Sequence, residues 1–216
     1  MVNQKGKLTQ TKGTWSKGTH SKGAQSRGTK SKGILLSNGE IDWKAVAAKL
    51  PSEKTPEAKA KRSKLFSEFD PNGNGFLSLA EVDRGICDVL QLEGLFNCKP
   101  AILRAFQASK GVAKSNSKLG DDYVERSEFR LLMVYLRQYF ELYEMFKKLD
   151  TSHDRRVDLD EFKAALPLLE SWGVKISDAE AEFEKIDANS GGSILFDEFA
   201  DWALKGHLEL LEHNEH

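Results

Sequence analysis

Apolar residues recur at helical spacing over most of the chain beyond residue 40. The first such run places Ile41, Trp43, Val46, Ala47 and Leu50 on one face, and a proline follows directly. Proline ends a helix because it lacks an N–H and its ring clashes with the preceding turn. The pattern therefore predicts a first helix that begins near residue 40 and stops at that proline.

The same periodicity marks the segments that follow, with short polar loops between them. Pro56 is expected in the first turn of the second helix, where a missing N–H costs nothing. Apolar faces on either side of the first polar loop are formed by Leu65, Phe66, Phe69, Val82, Ile86, Val89 and Leu90. The arrangement recurs around 146–169 and 183–204, and strand-like alternation is almost absent. These features predict an all-α body of helix–loop–helix units.

The first loop, residues 70–81, has the composition of a calcium site. Calcium takes six to eight oxygens, which a 12-residue loop supplies from positions 1, 3, 5, 7, 9 and 12, with glycine at position 6. Gly75 stands at the turn, and Leu77 is the apolar position-8 residue that pairs with a neighbouring loop. The predicted ligands are Asp70, Asn72, Asn74, the Phe76 carbonyl, Ser78 through water, and Glu81. Because only two of them are anionic, we expect modest affinity.

The third loop, residues 150–161, has the reverse profile. Its predicted ligands are Asp150, Ser152, Asp154, the Arg156 carbonyl, Asp158 and Glu161, four of which are carboxylates. Arg155 replaces the turn glycine, and a left-handed conformation costs a non-glycine residue about 1–2 kcal/mol. We expect the four carboxylates to outweigh this cost, so the loop is predicted to bind calcium.

The fourth loop, residues 187–198, offers fewer side-chain ligands. Gly192 stands at the turn and Ile194 at position 8, while Gly191 and Leu195 contribute no side-chain oxygen. The predicted ligands are Asp187, Asn189, the Ser193 carbonyl and Glu198. Water would complete the coordination shell, and the loop is predicted to bind.

The second unit is recognisable only by its second half. Residues 123–129 resemble positions 7 to 12 and the start of an exit helix, and counting back puts Ser117 at position 1, Leu119 at position 3 and Asp122 at the glycine position. Since these residues cannot supply the ligands, this unit is predicted not to bind calcium. Its expected role is to pair with the first loop, because EF-hands bury their apolar faces in twos.

Charge divides the 216 residues into two parts, although the formal net charge is only −1. Residues 1–39 carry eight basic residues and no acidic one, and the remainder carries a balance of −9. Glycine recurs every fifth residue from Gly13 to Gly33, which gives neither helical nor strand periodicity. Residues 1–37 are therefore predicted to be a disordered basic leader.

The leader is either a solvated linker or an arm for anionic lipid. Each Lys or Arg near such a surface is worth about 1 kcal/mol, so eight charges suffice for reversible attachment. Nucleic acid is not an expected partner, because the leader lacks interleaved aromatic residues and the −9 body repels phosphates.

Other function classes find little support. No stretch approaches the roughly 18 apolar residues of a membrane span, and two cysteines cannot build a disulfide framework, so a reduced, intracellular protein is expected. No nucleophile–base pair or phosphate loop points to an enzyme. Cys87 lies among apolar helix positions and is expected in the core, whereas His153 is expected to face solvent. Trp43, Trp172 and Trp202 fit either core packing or a target groove.

The body resembles a known family. The run AKRSKLFSEFD, then EFRLLMVYLRQYFELYEMFKKLD, then FKAALPLLESWGVKI and FDEFADWA, is similar to the flagellar calcium-binding proteins of trypanosomes, the calflagins, over about residues 40–204. The resemblance implies a calcium-modulated protein of the flagellar membrane whose third and fourth hands are its main calcium sites. Members begin Met-Gly-Cys and are acylated there, whereas this chain begins Met1-Val2-Asn3, so that dual anchor is not carried over.

Together these features predict an all-α protein of two paired EF-hand lobes, with four helix–loop–helix units of which one is degenerate. The predicted segments are the leader 1–37, an N-terminal pair 38–136, a C-terminal pair 137–206 and a tail 207–216. The expected function is calcium sensing in the flagellum, with Ca²⁺ as the only cofactor; a calcium buffer and a structural protein with vestigial loops remain alternatives. Candidate partners are an anionic membrane surface, a flagellar protein and a second copy of the chain.

Overall fold

A computed structural model describes residues 39–111 and 122–207 of the chain. The predictions for the leader, for Ser117 and Leu119, and for the tail beyond residue 207 fall outside these residues. The described helices are α1 Trp43–Lys49, α2 Pro56–Phe69, α3 Leu79–Arg84, α4 Glu93–Phe96, α5 Lys99–Ser109, α6 Phe129–Leu149, α7 Leu159–Ala164, α8 Leu166–Ser171, α9 Ala179–Ile186 and α10 Phe196–Trp202. The all-α prediction is confirmed, and these helices flank the loops predicted to hold calcium.

Local capping sets where the first two helices begin. Asp42 accepts a hydrogen bond from the Ala45 N–H at 3.0 Å, so α1 begins at Trp43, slightly later than the apolar pattern alone indicated. Thr55 caps α2 by accepting from the Ala58 N–H at 3.2 Å. A capping side chain satisfies one of the N–H groups that the first turn leaves without a partner, and Pro56 occupies the first turn as predicted.

Two short antiparallel contacts join the loops in pairs. Strand β1, Phe76–Leu77, pairs with β2, Val124–Glu125, and Leu77 lies opposite Val124. In the C-terminal pair an isolated bridge joins Val157 to Ile194, with N–H···O distances of 3.0 and 2.8 Å. The position-8 residues of each pair therefore meet, and the predicted pairing of the second unit with the first loop is found.

The core runs along α6. At its start, the Phe129 ring packs edge-on against Phe66 and Phe69, with centroid distances of 5.2 and 5.5 Å. Near its end, Phe146 contacts Phe199 at 5.6 Å. α5 packs along α6, and α10 contacts both helices. The domain boundary predicted at residue 136 falls inside this helix, which continues without a break from one pair to the other.

The helix after the first loop does not keep α-helical periodicity. After α3 the chain forms a π-helical turn, Gly85–Val89, in which the Leu90 N–H donates to the Gly85 carbonyl at 2.9 Å. Because a π turn holds an extra residue, side chains beyond it point in new directions. Cys87, within this turn, is exposed, and the prediction that it lies in the core is wrong. Gly85 is needed here, because a Cβ would lie 2.5 Å from the Phe69 ring.

Candidate calcium sites

The first aspartate of each loop organises the backbone that follows it. Asp70 is 7% exposed; its Oδ1 accepts from the Asn74 N–H at 3.1 Å and its Oδ2 from the Gly75 N–H at 2.9 Å. Asp150 accepts from positions 5 and 6 of its loop at 3.2 and 2.9 Å, and Asp187 does so at 2.9 and 2.8 Å. Each buried carboxylate thus fixes the curvature of a potential coordination shell.

The closing glutamate of each loop reaches back across it. One oxygen of Glu81, Glu161 and Glu198 accepts the position-9 N–H, at 2.9, 3.2 and 2.9 Å respectively. The other oxygen contacts position 3: the side-chain amide of Asn72 at 2.6 Å, that of Asn189 at 2.7 Å, and the backbone N–H of the third loop at 2.8 Å. Both oxygens of each carboxylate therefore turn into the loop, which a bidentate ligand at position 12 requires.

All three loops share the same left-handed turn. Gly75, Arg155 and Gly192 at position 6 have φ of 84°, 70° and 76°. The position-4 residues His153 and Ser190 are also left-handed, with φ of 61° and 55°. Arg155 therefore adopts the conformation that its position demands despite its side chain, and His153 is exposed as expected.

The remaining predicted ligands complete the donor set. Asn74 and Asp154 at position 5 accept the position-7 N–H through Oδ1, each at 2.9 Å. Asp158 accepts the Glu161 N–H at 2.8 Å and caps α7. The position-7 carbonyls belong to Phe76, Arg156 and Ser193, and Ser152 Oγ lies 3.3 Å from Asp150 Oδ1. This mixture of carboxylate, amide, hydroxyl and carbonyl oxygens suits a hard cation such as Ca²⁺.

No group of three or more Asp, Glu, His or Cys side chains converges as a metal cluster within residues 39–111 and 122–207. The loop carboxylates are instead satisfied by N–H groups of their own loops. In Glu161, burial raises the pKa, but hydrogen bonds from Ser152, Asp158 and Thr151 outweigh this effect and lower the pKa overall. The carboxyl is thereby held in its charged form, which is the form a cation needs.

The second unit keeps part of this arrangement. Glu128, at position 12, is 2% exposed, and its Oε2 accepts the Glu125 N–H at 2.9 Å, just as the closing glutamates do elsewhere. Val124, at position 8, is fully buried. The unit has therefore retained the residues that close the loop and form the pair, and its predicted inability to bind calcium stays a prediction.

Tertiary contacts that the sequence pattern did not indicate surround these loops. Arg104 of α5 forms ion pairs with Asp201 and with Asp197, the latter at 3.7 Å from Nε to Oδ1. Asp197 is position 11 of the fourth loop, so an N-terminal helix is tied directly to a C-terminal loop. No sequence signal was available for this contact, because the partners lie 97 positions apart for Arg104 and Asp201.

An open groove of about 840 Å³ lies beside that ion pair. It is lined by Leu79, Ala80, Asp83, Lys99, Pro100, Ile102, Leu103, Arg155 and Asp197. Leu79 and Leu103 are 36% and 41% exposed, which is high for large apolar side chains. We call this surface the α3–α5 groove; two of its lining residues belong to the third and fourth loops.

Within residues 39–111 and 122–207, helices and loops joined in two pairs through position 8 define a protein of the EF-hand class. The family described as "FCaBP EF-hand domain" matches residues 46–136, and that described as "EF-hand domain pair" matches residues 139–204. The chain belongs to the flagellar calcium-binding protein family, as the resemblance predicted.

Three curated relatives carry this assignment. The "Flagellar calcium-binding protein" of Trypanosoma cruzi is 41% identical over 163 residues, covering 74% of this chain and 77% of its own. The Trypanosoma brucei brucei proteins TB-24 and TB-1.7G are each 38% identical over 173 residues, which is 79% of this chain and 79% and 76% of theirs. Across residues 39–111 and 122–207, no helix has the length and apolar character that crossing a bilayer requires.

Proposed function

We propose that the chain is a calcium sensor of the flagellum, in which calcium bound to the loops changes an apolar docking surface. Membership of the flagellar calcium-binding protein family supports both calcium binding and a location in the flagellum. The ion would be held by the oxygen ligands of the first, third and fourth loops and would supply a doubly positive centre for them to surround. Since four carboxylates attract a cation more strongly than two, the third loop is expected to bind more tightly than the first.

The observation that carries the sensor proposal is the lining of the α3–α5 groove. Arg155 and Asp197 belong to the third and fourth loops, at positions 6 and 11, and both line the groove. A change in either loop therefore alters an apolar surface without passing through any intermediate element. A buffer needs no such contact between its loops and an exposed apolar surface.

The ion pairs of Arg104 support the same coupling. In this structure Asp197 and Asp201 of α10 hold Arg104 on α5, and the guanidinium lies 5.8 Å from the Tyr139 ring centroid on α6. Calcium in the fourth loop would replace the hydrogen bonds that Glu198 now accepts from Asn189 and would shift α10 with it. We expect this movement to loosen the Arg104 contacts and widen the groove.

Dye binding to exposed apolar surface tests the sensor against the buffer. We expect fluorescence of an apolar dye to rise on calcium addition to the full chain. Leu103→Asn should reduce that rise, whereas Leu204→Asn serves as the matched control, since Leu204 is similarly exposed at 38% but does not line the groove. Saturable calcium binding without any change in fluorescence would favour a buffer.

Calcium titration by calorimetry distinguishes a sensor or a buffer, which both bind calcium, from a structural protein with vestigial loops. We expect at least two saturable sites. Heat that rises in proportion to added calcium, with no saturation, would favour the structural reading instead.

The candidate partners can be tested with the full chain. An anionic membrane surface is proposed for the basic leader, whose eight Lys and Arg residues precede the first acidic residue, Glu40. Replacing all eight with glutamine should abolish sedimentation with anionic vesicles, and unchanged sedimentation would remove the leader from this role. A flagellar protein and a second copy of the chain are proposed for the groove, where calcium-dependent self-association would appear in analytical ultracentrifugation.

A further inference from the structure

A second concave site lies between α2 and the start of α6, and its lining is basic where the calcium loops are acidic. It encloses about 310 Å³ and is lined by Lys59, Arg62, Ser63, Arg126, Ser127, Phe129 and Arg130. We call it the basic pocket. Four of its lining residues are cationic, two carry hydroxyl groups, and none is acidic. Because the chain beyond residue 39 has a balance of −9, this concentration of positive charge runs against the general character of the body.

The cations are held in place by the fold. Arg126 donates from Nη1 to the Ser63 carbonyl at 3.0 Å and from Nη2 to Ser67 Oγ at 3.2 Å. Its guanidinium also lies 4.3 Å from the centroid of the Phe66 ring. These contacts fix the guanidinium against α2, so little side-chain entropy remains to be lost when a ligand binds.

Arg62 and Arg130 are fixed in the same way by the segment before α2. Arg62 Nη1 donates to the Glu53 carbonyl at 2.6 Å and to the Pro51 carbonyl at 3.2 Å. Arg130 Nη1 donates to the Ser52 carbonyl at 3.1 Å. A guanidinium has five N–H donors, so the Nη1 contacts of Arg62 leave other donors of that group for a ligand.

Holding these charges together carries a cost. Burial, and then the charge of Arg130, lower the pKa of Arg62, and the nearby charge of Glu53 offsets only part of this effect. Like charges repel one another, whereas an anion placed between them would attract both. Among biological anions, phosphate matches both the planar donor fork of arginine and the point charge of lysine.

We propose that the basic pocket binds a phosphate monoester, carried either by a soluble compound or by a lipid headgroup. The arginines donate to the phosphate oxygens from fixed positions. Lys59, which is exposed, closes the site as a point charge. The hydroxyl groups of Ser63 and Ser127 provide further donors. None of its lining residues belongs to the basic leader or to the three loops predicted to bind calcium.

Titration of the full chain with inorganic phosphate, followed by two-dimensional NMR in calcium-free buffer, tests the pocket. We expect saturable shifts concentrated at residues 59–63 and 126–130, and none with chloride at matched ionic strength. Lys59→Glu should weaken binding at least about fivefold, since one unit charge near contact is worth about 1 kcal/mol even in water. The matched control is Lys61→Glu, which makes the same charge change at an exposed residue of α2 that does not line the pocket.

Vesicle flotation of the full chain then identifies the carrier of the phosphate. Phosphatidylcholine vesicles containing a phosphatidylinositol phosphate are compared with vesicles of equal charge made with phosphatidylserine. A headgroup ligand predicts that Lys59→Glu, but not Lys61→Glu, loses the preference for the phosphoinositide. If both variants float equally while Lys59→Glu alone loses inorganic phosphate, the ligand is a soluble phosphate compound.

Two outcomes would overturn the proposal. One is the absence of saturable shifts with inorganic phosphate. The other is equal weakening by Lys59→Glu and Lys61→Glu, which would mean that phosphate responds to the general charge of α2 and not to a pocket.

Discussion

The N-terminal and C-terminal pairs are joined by the same position-8 contact, which we call the position-8 joint, but their loops differ in the calcium ligands that they offer. Leu77 meets Val124 in one pair, and Val157 meets Ile194 in the other. The C-terminal pair has two loops with candidate ligands, whereas the N-terminal pair has one loop with a full set and one that keeps only its closing half. If the second unit does not bind calcium, as predicted, then position 8 and the closing glutamate suffice for pairing without metal ligation.

An ion pair between helices also occurs in both pairs, with the positions of the acidic and basic residues exchanged. Asp83 of α3 pairs with Lys99 of α5 at 2.5 Å, while Lys163 of α7 pairs with Glu180 of α9. In each case the exit helix of one unit contacts the entering helix of the next. The two pairs thus preserve the contact and not the identity of the residues that make it.

The largest expected effect tests whether the position-8 joint matters equally in both pairs. Leu77→Ala and Ile194→Ala each empty a buried site, exposed by 0% and 1%. Each should lower the free energy of unfolding by about 2–5 kcal/mol, measured by urea denaturation of the full chain. Leu204→Ala is the exposed control and should change it by no more than about 0.5 kcal/mol. If Ile194→Ala lowers the free energy of unfolding and Leu77→Ala does not, the N-terminal pair does not depend on its position-8 contact.

The next largest effect is that of the closing glutamate on calcium affinity. Glu161→Gln removes one carboxylate of the third loop and should weaken binding there about tenfold or more, measured by calorimetry. Glu128→Gln is the matched change in the second unit and should leave the number and affinity of sites unchanged. A site lost in Glu128→Gln would mean that the second unit binds calcium after all.

A smaller effect concerns the turn. Arg155 has φ of 70°, so Arg155→Gly should raise the free energy of unfolding by about 1–2 kcal/mol by removing a left-handed side chain. Arg156→Gly removes the same charge from a residue that is not left-handed, and it should lower that free energy by about 0.5–1 kcal/mol. Thermal unfolding measures both, and equal shifts would point to charge and not to backbone strain.

The smallest effect should come from the exchanged ion pair. Lys163 lowers the pKa of Glu180, and Glu180 raises that of Lys163. A depressed carboxyl pKa gives stability that is present above the unfolded pKa and is lost as pH falls through the folded one. The stability difference between wild type and Lys163→Gln should therefore be slight, shrink with salt, and vanish in acid. A difference that persists in acid would assign the role of Lys163 to packing.

Sequence reasoning reached the loops because their ligands are local. A 12-residue window contains every donor, and the left-handed turn at Arg155 follows from position alone. It did not reach contacts made by folding: Arg104 meets Asp197 and Asp201 only because α5 and α10 pack together. The exposure of Cys87 was also missed, because its apolar neighbours suggested a buried position, whereas the buried face of this segment is formed by Val82, Ile86 and Leu90.

The uninterrupted helix α6 has a mechanical consequence. Its 21 residues span about 31 Å, with Glu128 just before one end and Asp150 just after the other. Two lobes joined by a flexible tether would respond to calcium independently. Because α6 is continuous from Phe129 to Leu149, a tilt that calcium induced at Asp150 would be carried along this helix to the second unit, which is not expected to bind the ion. In the proposed sensor, the second unit would then transmit a conformational change that calcium induces in the third loop.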